Sequence, residues 1–535
     1  MAQFLICWGF LAATDAAAHH SATTAQQTQT PSPNPKNIPG TIVLKRFEII
    51  GNRVIPESEI DSLLEPYLLR PISFIELFEV QQVITQLFVE RGYLTSGAYI
   101  PPQKIQDSTV RVEIIEGSLE EIKIYGLKHL RPGYIRGRLA AATQPPLNRQ
   151  KLLNALQLLQ LNPRIADISA ELSQGINPGQ SLLEVEVEEA NSFDAELTLN
   201  NYQAVSVGSQ GRILSIVDHN LFGFGDRLAA TYINTPSSDS LADLNYSIPL
   251  SARDNQLQIA YNHSNSLIVS EPFQDLELSS ISTYLQATYR QPLLQTPQQE
   301  FTLGFALSHQ DTQLFLMGQG FPTLARGTDI EGVTKISALR LIQEYSDRSS
   351  NHVFAFSSQF SLGVDLFDAT VNSGDIPDSK FFIWRGQGQY IRQLTSSTNL
   401  FLRSELQFAD RSLVSLEQFR AGGVASVRGY RRDRTLGDNG LFLSSELRNT
   451  LWSSSQGNLS LALNPFVDFS HVWNNDDVSP EVDTLASVGL GVQLLLGETL
   501  TANFDWGIPL IEDTGFQEDS LQDSGLYFSI KVSPF

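Results

Sequence analysis

Apolar and polar residues alternate with a period of two along much of the C-terminal part of the chain. Leu459, Leu461 and Leu463 alternate with small or polar residues, and the same pattern recurs over residues 500–506 and 526–532. In each stretch the apolar face carries no charge, and the Asp and Lys residues fall on the other face. This periodicity predicts β-strands that are half buried. A β-sandwich shows the same alternation, but over shorter strands and in smaller domains.

The region with this pattern covers residues 191–535, which is 345 residues. Strands that cross an outer membrane need about 9–11 residues, with one apolar and one polar face. Sixteen strands would leave about 21–22 residues for each strand and its connection, and fourteen or eighteen would fit nearly as well. We therefore predict a large antiparallel transmembrane β-barrel of about sixteen strands.

Residues 41–190 have an ordinary α/β texture and contain an internal repeat. In each copy, a strand that ends at a glycine is followed by a short helix, a longer capped helix and two strands. The glycines are Gly51 and Gly126, and the caps of the longer helices are Ser73 and Asn148. Both pairs are 75 residues apart, which two unrelated small domains would not produce. The repeat predicts two α+β modules, over 41–117 and 118–190.

The first forty residues have the features of an export signal and a linker. Apolar residues 4–11 are followed by Ala16, Ala17 and Ala18, which is the zone order of a secretory signal peptide over residues 1–20. The expected basic residue at the start is missing. Residues 21–40 are rich in Pro, Ser, Thr and Gln and predict an irregular linker.

Composition narrows the function further. The chain has 36 Lys+Arg against 58 Asp+Glu, a net charge of −22, which argues against a nucleic-acid partner. We expect the acidic excess in extracellular loops such as residues 237–243 and 474–483. The single cysteine, Cys7, lies in the predicted signal, and the eight histidines are scattered. No nucleotide-binding loop or catalytic motif appears, so we expect neither a cofactor, a metal nor an enzymatic activity.

Several segments resemble a known family in their sequence motifs as well as in domain order. They are Phe47–Pro56, Arg91–Thr95, Pro101–Gln103, Phe419–Gly423, Val427–Tyr430 and Asp438–Leu441. Two periplasmic POTRA modules followed by a barrel resemble the hemolysin-activator translocators of two-partner secretion (ShlB/FhaC/HecB type), which share a superfamily with the BamA assembly proteins. The resemblance covers residues 41–535.

The resemblance also implies a functional site in the sixth extracellular loop. Its motif residues are Val427, Arg428, Gly429 and Tyr430, preceded by Gly422 and Gly423. The family pairs the motif arginine with an Asp in a Phe-x-Asp-x-Gly segment, which here supplies Phe466 and Asp468. The pairing would fold the loop back into the lumen. Ser470 stands where the family has glycine, so a tight backbone approach there is not assured.

The function that the resemblance implies is export of a large, unfolded exoprotein across the outer membrane. The POTRA modules, in the periplasm, would capture this secreted partner by adding a client strand to a sheet edge. The client would then thread through the lipid-embedded barrel without nucleotide. The family often has an N-terminal plug helix, but residues 19–30 supply only about 18 Å of helix. We therefore expect either no full-length plug helix or a true N-terminus that is longer.

Three other functions compete with this interpretation. A BamA-like factor that inserts other barrels is the principal alternative, although such factors usually carry more POTRA modules than residues 41–190 can hold. An enzyme fused to a barrel lacks support from any motif. A diffusion porin would leave the two modules without a role.

Overall fold

The computed structural model describes residues 40–177, 179–269, 274–321, 325–374, 376–455, 457–476, 478–512 and 520–534. The predicted signal peptide, all but the last residue of the linker, and the segment 19–30 lie outside the described residues. The chain divides into two compact units. One contains Met1–Lys123, Thr143–Leu152 and Glu171–Glu184, and the other contains Ile124–Ala142, Leu153–Ala170 and Val185–Phe535.

The first repeat copy forms a small sheet covered by helices. Its elements are β1 (Thr41–Val43), β2 (Arg46–Ile50), α1 (Glu57–Leu64), β3 (Pro71–Ser73), α2 (Phe74–Glu90), β4 (Gly97–Tyr99) and β5 (Thr109–Ile115). Strand β5 lies between β2, to which it is parallel, and β4, to which it is antiparallel. The apolar face of α2 packs on this sheet through Val80, Ile84 and Phe88, which are all fully buried.

Helix α2 begins where the sequence predicts. The Ser73 hydroxyl accepts from the Glu76 amide at 3.4 Å, and the Glu76 carboxylate accepts from the Ser73 amide at 2.6 Å. This capping box satisfies two amides that the first turn would otherwise leave without partners. Hydrogen bonding from the Ser73 amide, together with Arg70, lowers the pKa of Glu76.

The second copy repeats the order of elements. They are β6 (Ser118–Tyr125), α3 (Pro132–Ala142), α4 (Arg149–Gln160), β7 (Ile165–Gln174) and β8 (Gln180–Glu189), with the sheet order β6-β8-β7. Gly51 and Gly126 have nearly the same backbone conformation, with φ of 87° and 86°. A Cβ at either position would press on a strand carbonyl, 2.7 Å from that of Ile114 or 2.3 Å from that of Val187. The glycine spacing therefore marks equivalent turns.

The remaining strands form the barrel. They are β9 (Phe193–Asn200), β10 (Gly211–Asp218), β11 (Arg227–Asn234), β12 (Ser238–Pro249), β13 (Gln256–Leu267), β14 (Ser279–Gln295), β15 (Gln299–Leu316), β16 (Gln319–Gly320), β17 (Val333–Arg348), β18 (His352–Val364), β19 (Phe382–Gln393), β20 (Thr398–Ala409), β21 (Phe419–Ala421), β22 (Thr435–Gly437), β23 (Asn439–Ser453), β24 (Leu459–Trp473), β25 (Thr484–Leu496), β26 (Leu500–Pro509) and β27 (Leu526–Val532). Among the described residues, β21 and β22 pair only with each other, and the two residues of β16 pair antiparallel with the end of β15. The other sixteen close an antiparallel barrel in which β27 pairs with β9, which confirms the predicted fold class.

The two faces of the wall follow the predicted alternation. In β24, Phe466 and Asp468 are buried, while Val467 between them is 53% exposed. In β26, the apolar residues Phe504, Trp506 and Ile508, at every second position, are exposed. An apolar outer face and a polar inner face are what a barrel in lipid requires. No α-helix among the described residues is both long enough and apolar enough to cross a membrane.

The structure corrects one predicted loop. Residues 237–243 do not form an acidic extracellular loop, because β12 already begins at Ser238 and a turn of three residues joins it to β11. The pairing of β12 with β13 shifts register between Leu241 and Leu244. Such a bulge inserts extra residues in a strand and accommodates Asp243 at a φ of 54°. Residues 474–483 do connect β24 to β25.

Candidate functional site

Residues 410–438, between β20 and β23, are here called the inward loop. Its contacts with the barrel wall fall on buried side chains such as Glu446 and Asp468, whose strand neighbours Leu447 and Val467 are exposed on the other face. Since the exposed apolar face is the outer one, these contacts lie on the inner face. The loop therefore folds into the lumen.

Two glycines turn the inward loop so that its motif faces the wall. Gly422 and Gly423 have φ of 111° and 87°, a region that side chains with a Cβ rarely adopt. The Gly422 amide donates to the Ser426 hydroxyl at 2.8 Å, and the Gly423 amide donates to the Val427 carbonyl at 3.1 Å. A Cβ on Gly422 would lie 2.3 Å from the Arg431 carbonyl oxygen. The tight turn requires both glycines.

The motif arginine is held by acidic side chains from three strands. Arg428 donates through Nε and Nη2 to the two oxygens of Asp468, at 2.8 and 3.0 Å, and through Nη1 to Glu446 at 2.6 Å. Asp505 lies 3.6 Å from Nη1. The guanidinium carbon lies 3.3 Å from the centre of the Phe466 ring. A planar fork of donors matches these carboxylates in a way that a lysine could not.

Burial decides how strong this site is. A solvated ion pair contributes about 1 kcal/mol or less, whereas removing one partner of a buried pair costs about 3–5 kcal/mol. The side chains of Arg428 and Asp468 are 4% and 0% exposed. The second regime therefore applies, and loss of Arg428 would leave carboxylates unpaired inside the lumen.

Backbone contacts seat the tip of the inward loop against the last two strands. The Gly429 amide donates to the Tyr527 hydroxyl at 3.0 Å, and that hydroxyl donates to the Tyr430 carbonyl. A Cβ on Gly507 would lie 2.5 Å from the Gly429 nitrogen, and one on Gly525 would lie 1.9 Å from the Gly507 carbonyl oxygen. Three glycines thus allow backbone to meet backbone.

The other predicted site residues complete this arrangement. Val427 and Tyr430 are buried in one apolar cluster with Phe419 and Phe442. Ser470 does not prevent close packing, because its hydroxyl donates to the Leu441 carbonyl at 2.9 Å.

The sequence reasoning missed two carboxylates, the tyrosine and two of the glycines: Glu446, Asp505, Tyr527, Gly507 and Gly525. Glu446 did carry a signal, since a charge in the middle of an alternating strand must face the lumen. Within the described ranges, no cluster of three or more His, Cys, Asp or Glu is arranged to hold a metal ion. The acidic residues at the site instead surround a guanidinium.

Comparison with known families agrees with this fold. A family model described as haemolysin secretion/activation protein ShlB/FhaC/HecB matches residues 179–494, and one described as POTRA domain, ShlB-type, matches residues 42–117. The chain is 23% identical over 492 residues to the outer membrane transporter CdiB of Dickeya dadantii, with 89% of this chain and 84% of the relative covered.

Solved structures share the same architecture. CdiB from Escherichia coli superposes with a TM-score of 0.71 at 18% identity, covering 95% of this chain and 93% of that one. BamA from Haemophilus ducreyi lacking POTRA domains 1–3 gives 0.54 at 14% identity, covering 92% and 100%. At these identities the likeness concerns the fold.

Proposed function

Because the chain belongs to the haemolysin secretion/activation family (ShlB/FhaC/HecB) and is an outer-membrane transporter of two-partner secretion with periplasmic POTRA modules, we propose that it threads an unfolded exoprotein through its barrel. The POTRA modules capture the client, and the inward loop is the element that must shift as the client passes. Arg428 sets the resting position of that loop.

The observation that carries the proposal is the buried contact between Arg428 and Asp468. It holds the inward loop inside the closed wall of a barrel that, with sixteen strands, otherwise encloses an aqueous lumen. In this proposal the loop takes up part of that lumen, and a passing polypeptide displaces it. The arrangement supports a channel that is closed at rest and changes when the client arrives.

An edge strand supports capture by the second POTRA module. Strand β7 lies at the edge of its sheet, and most of its ten residues are exposed. Gln160 covers the start of this edge, because its side chain donates to the Ala166 carbonyl at 3.1 Å and accepts from the Ile168 amide at 3.1 Å. Beyond Ile168 an extended client has room to add a strand.

A cleft at the ends of β13, β14, β15 and β17 supports entry from the periplasm. A cavity of about 590 Å³ lies between these strand ends and helices α3 and α4. Arg138, Arg164, Arg290 and Arg348 are among the residues that line it. Arg138 is paired with Asp254 and Arg290 with Glu344, and Glu300 also lines the cavity. This mixture of charges suits a client segment with polar side chains of either sign.

Replacement of the motif arginine tests the proposal. We expect Arg428→Ala and Arg428→Lys both to reduce export of the secreted partner by at least about tenfold, since neither keeps the two-pronged contact with Asp468. The measurement is the amount of partner outside the cells, with barrel insertion checked by heat-modifiable gel mobility. Arg411→Ala, an exposed arginine of the same loop, is the control. Normal export by a correctly inserted Arg428→Ala protein would refute the role of Arg428.

A further inference from the structure

A second buried ion pair joins the inward loop to the barrel. Arg340, on β17, lies with Nη2 2.6 Å and Nη1 3.4 Å from the two carboxylate oxygens of Glu417, which precedes β21. The guanidinium also donates to the hydroxyls of Ser308 at 3.2 Å and Ser361 at 2.9 Å. Little of either side chain is exposed, 11% for Arg340 and 8% for Glu417. A contact that is buried and has four donor–acceptor pairs is much stronger than a surface ion pair.

The two ion pairs lie far apart around the wall. Arg340 is on β17, whereas Arg428 is held by β23, β24 and β26. Strands β18, β19, β20 and β23 separate β17 from β24. The order continues through β25 to β26, which is seven strands along from β17 in a barrel of sixteen. Strands β17 and β26 therefore lie almost on opposite sides. The inward loop is attached on both sides, at Glu417 on its first arm and at Arg428 near its tip.

We propose that Arg340 is a positioning residue that acts through Glu417, and that this pair is a second anchor holding the inward loop across the lumen. The inference rests on the proposed role of the loop as the movable element. With both anchors in place the loop spans the lumen, and with only one it can pivot about the remaining attachment. Loss of either anchor therefore removes one of the two contacts that keep the loop across the lumen, and the channel opens more often.

Another ion pair on the same strand supplies a matched control. Arg290 pairs with Glu344, which lies four residues beyond Arg340 on β17. This pair joins β14 to β17 and does not involve the inward loop. Neutralising Glu344 removes an Arg–Glu pair from the wall while both anchors of the loop remain.

The test measures channel opening in the full chain, without any client. Four purified variants are placed in planar lipid bilayers. They are Arg340→Gln, Glu417→Gln, Glu344→Gln and an exchange variant that combines Arg340→Glu with Glu417→Arg. Heat-modifiable mobility shows whether each barrel is folded. If Arg340→Gln does not fold, the gating of the folded Glu417→Gln protein decides the test. We expect the two anchor variants to spend about tenfold more time open than the parent. Glu344→Gln and the exchange variant should stay near the parent.

Two results would overturn the second anchor. One is unchanged gating in the folded Glu417→Gln protein, and the other is equal leakage in Glu344→Gln or in the exchange variant. Because the measurement needs no client, it is independent of secretion. Normal export in the Arg428 experiment and unchanged gating here would identify different errors, the first in the proposed function and the second in the anchor.

Discussion

At the residue scale, the contact among the glycines makes a sharp prediction. Gly525 has a φ of 68° and no room for a Cβ, whereas Gly497 has a φ of 54° and open space around it. Alanine at either position costs about 1–2 kcal/mol because of the left-handed backbone. At Gly525 the overlap with the Gly507 carbonyl adds about 1–3 kcal/mol. The temperature at which heat-modifiable mobility is lost should fall further for Gly525→Ala than for Gly497→Ala.

An equal loss in the two variants would mean that the backbone contact between Gly525 and Gly507 contributes nothing. The expected difference has a second signature, since Gly507 also meets Gly429 in the inward loop. Channel opening in lipid bilayers should therefore increase in Gly525→Ala and not in Gly497→Ala.

The site shows where reasoning from a sequence stops. The family resemblance brings Arg428 and Asp468 together because both lie in recognisable segments. Tyr527 lies 98 residues beyond Gly429 in a strand with ordinary alternation, and nothing local distinguishes it. Its contact depends on the register of β26 and β27 and on the depth of the loop, which only the closed barrel determines. The Arg340–Glu417 contact was hidden for the same reason.

At the scale of elements, a carboxylate at the end of β8 makes the second POTRA module sensitive to pH. Glu189 accepts from the amides of Lys128, His129 and Leu130, at 2.7, 3.0 and 2.9 Å. Burial alone would raise the pKa of Glu189, but these hydrogen bonds outweigh it and the pKa is lowered. The stabilisation is therefore fully present above the unfolded value of about 4.3 and is lost as pH falls through the folded pKa.

Thermal unfolding of the full chain checks this pH dependence. Among the described residues, the α-helices α1 to α4 all lie within residues 41–190, so helical circular dichroism reports on this region. As the pH is lowered below about 4.3, the melting temperature of this signal should decrease. The decrease should be smaller in Glu189→Gln, which has no charge to lose. Exposed Glu188→Gln is the control and should follow the parent. If Glu189→Gln and the parent lose the same stability in acid, the hydrogen bonds to the Glu189 carboxylate are not responsible.

The elements themselves were largely predictable. The Ser73 capping box, the offset of 75 residues between Gly51 and Gly126, and the alternation over 526–532 are local signals, and the structure has a helix, two equivalent turns and a strand at those places. The hairpin at residues 235–237 was missed because acidic residues in β12 resemble a loop when only composition is considered. A bulge, which depends on the partner strand, cannot be predicted from one strand alone.

At the scale of the whole molecule, the seam between β27 and β9 is the weakest part of the wall. Only four residue pairs join these strands. Beyond them, the Asn201 side chain acts as an additional peptide group, donating to the Leu526 carbonyl at 2.9 Å and accepting from the Phe528 amide at 2.8 Å. Gln522 donates to the Asn201 carbonyl at 2.5 Å and accepts from the amide of Arg432, in the inward loop, at 3.0 Å. The seam and the loop are therefore connected.

The seam distinguishes threading from the alternative function of inserting other barrels. A closed barrel offers no strand edge to a substrate, so insertion into the membrane at this site requires the seam to open, whereas threading uses only the lumen. Asn200 and Ser529 face each other across the seam, within the usual Cα separation of a disulfide. We expect Asn200→Cys with Ser529→Cys to export the partner equally, within about twofold, when oxidised and when reduced. The single-cysteine variants are the controls, and a block by oxidation that reductant reverses would favour opening of the seam over threading.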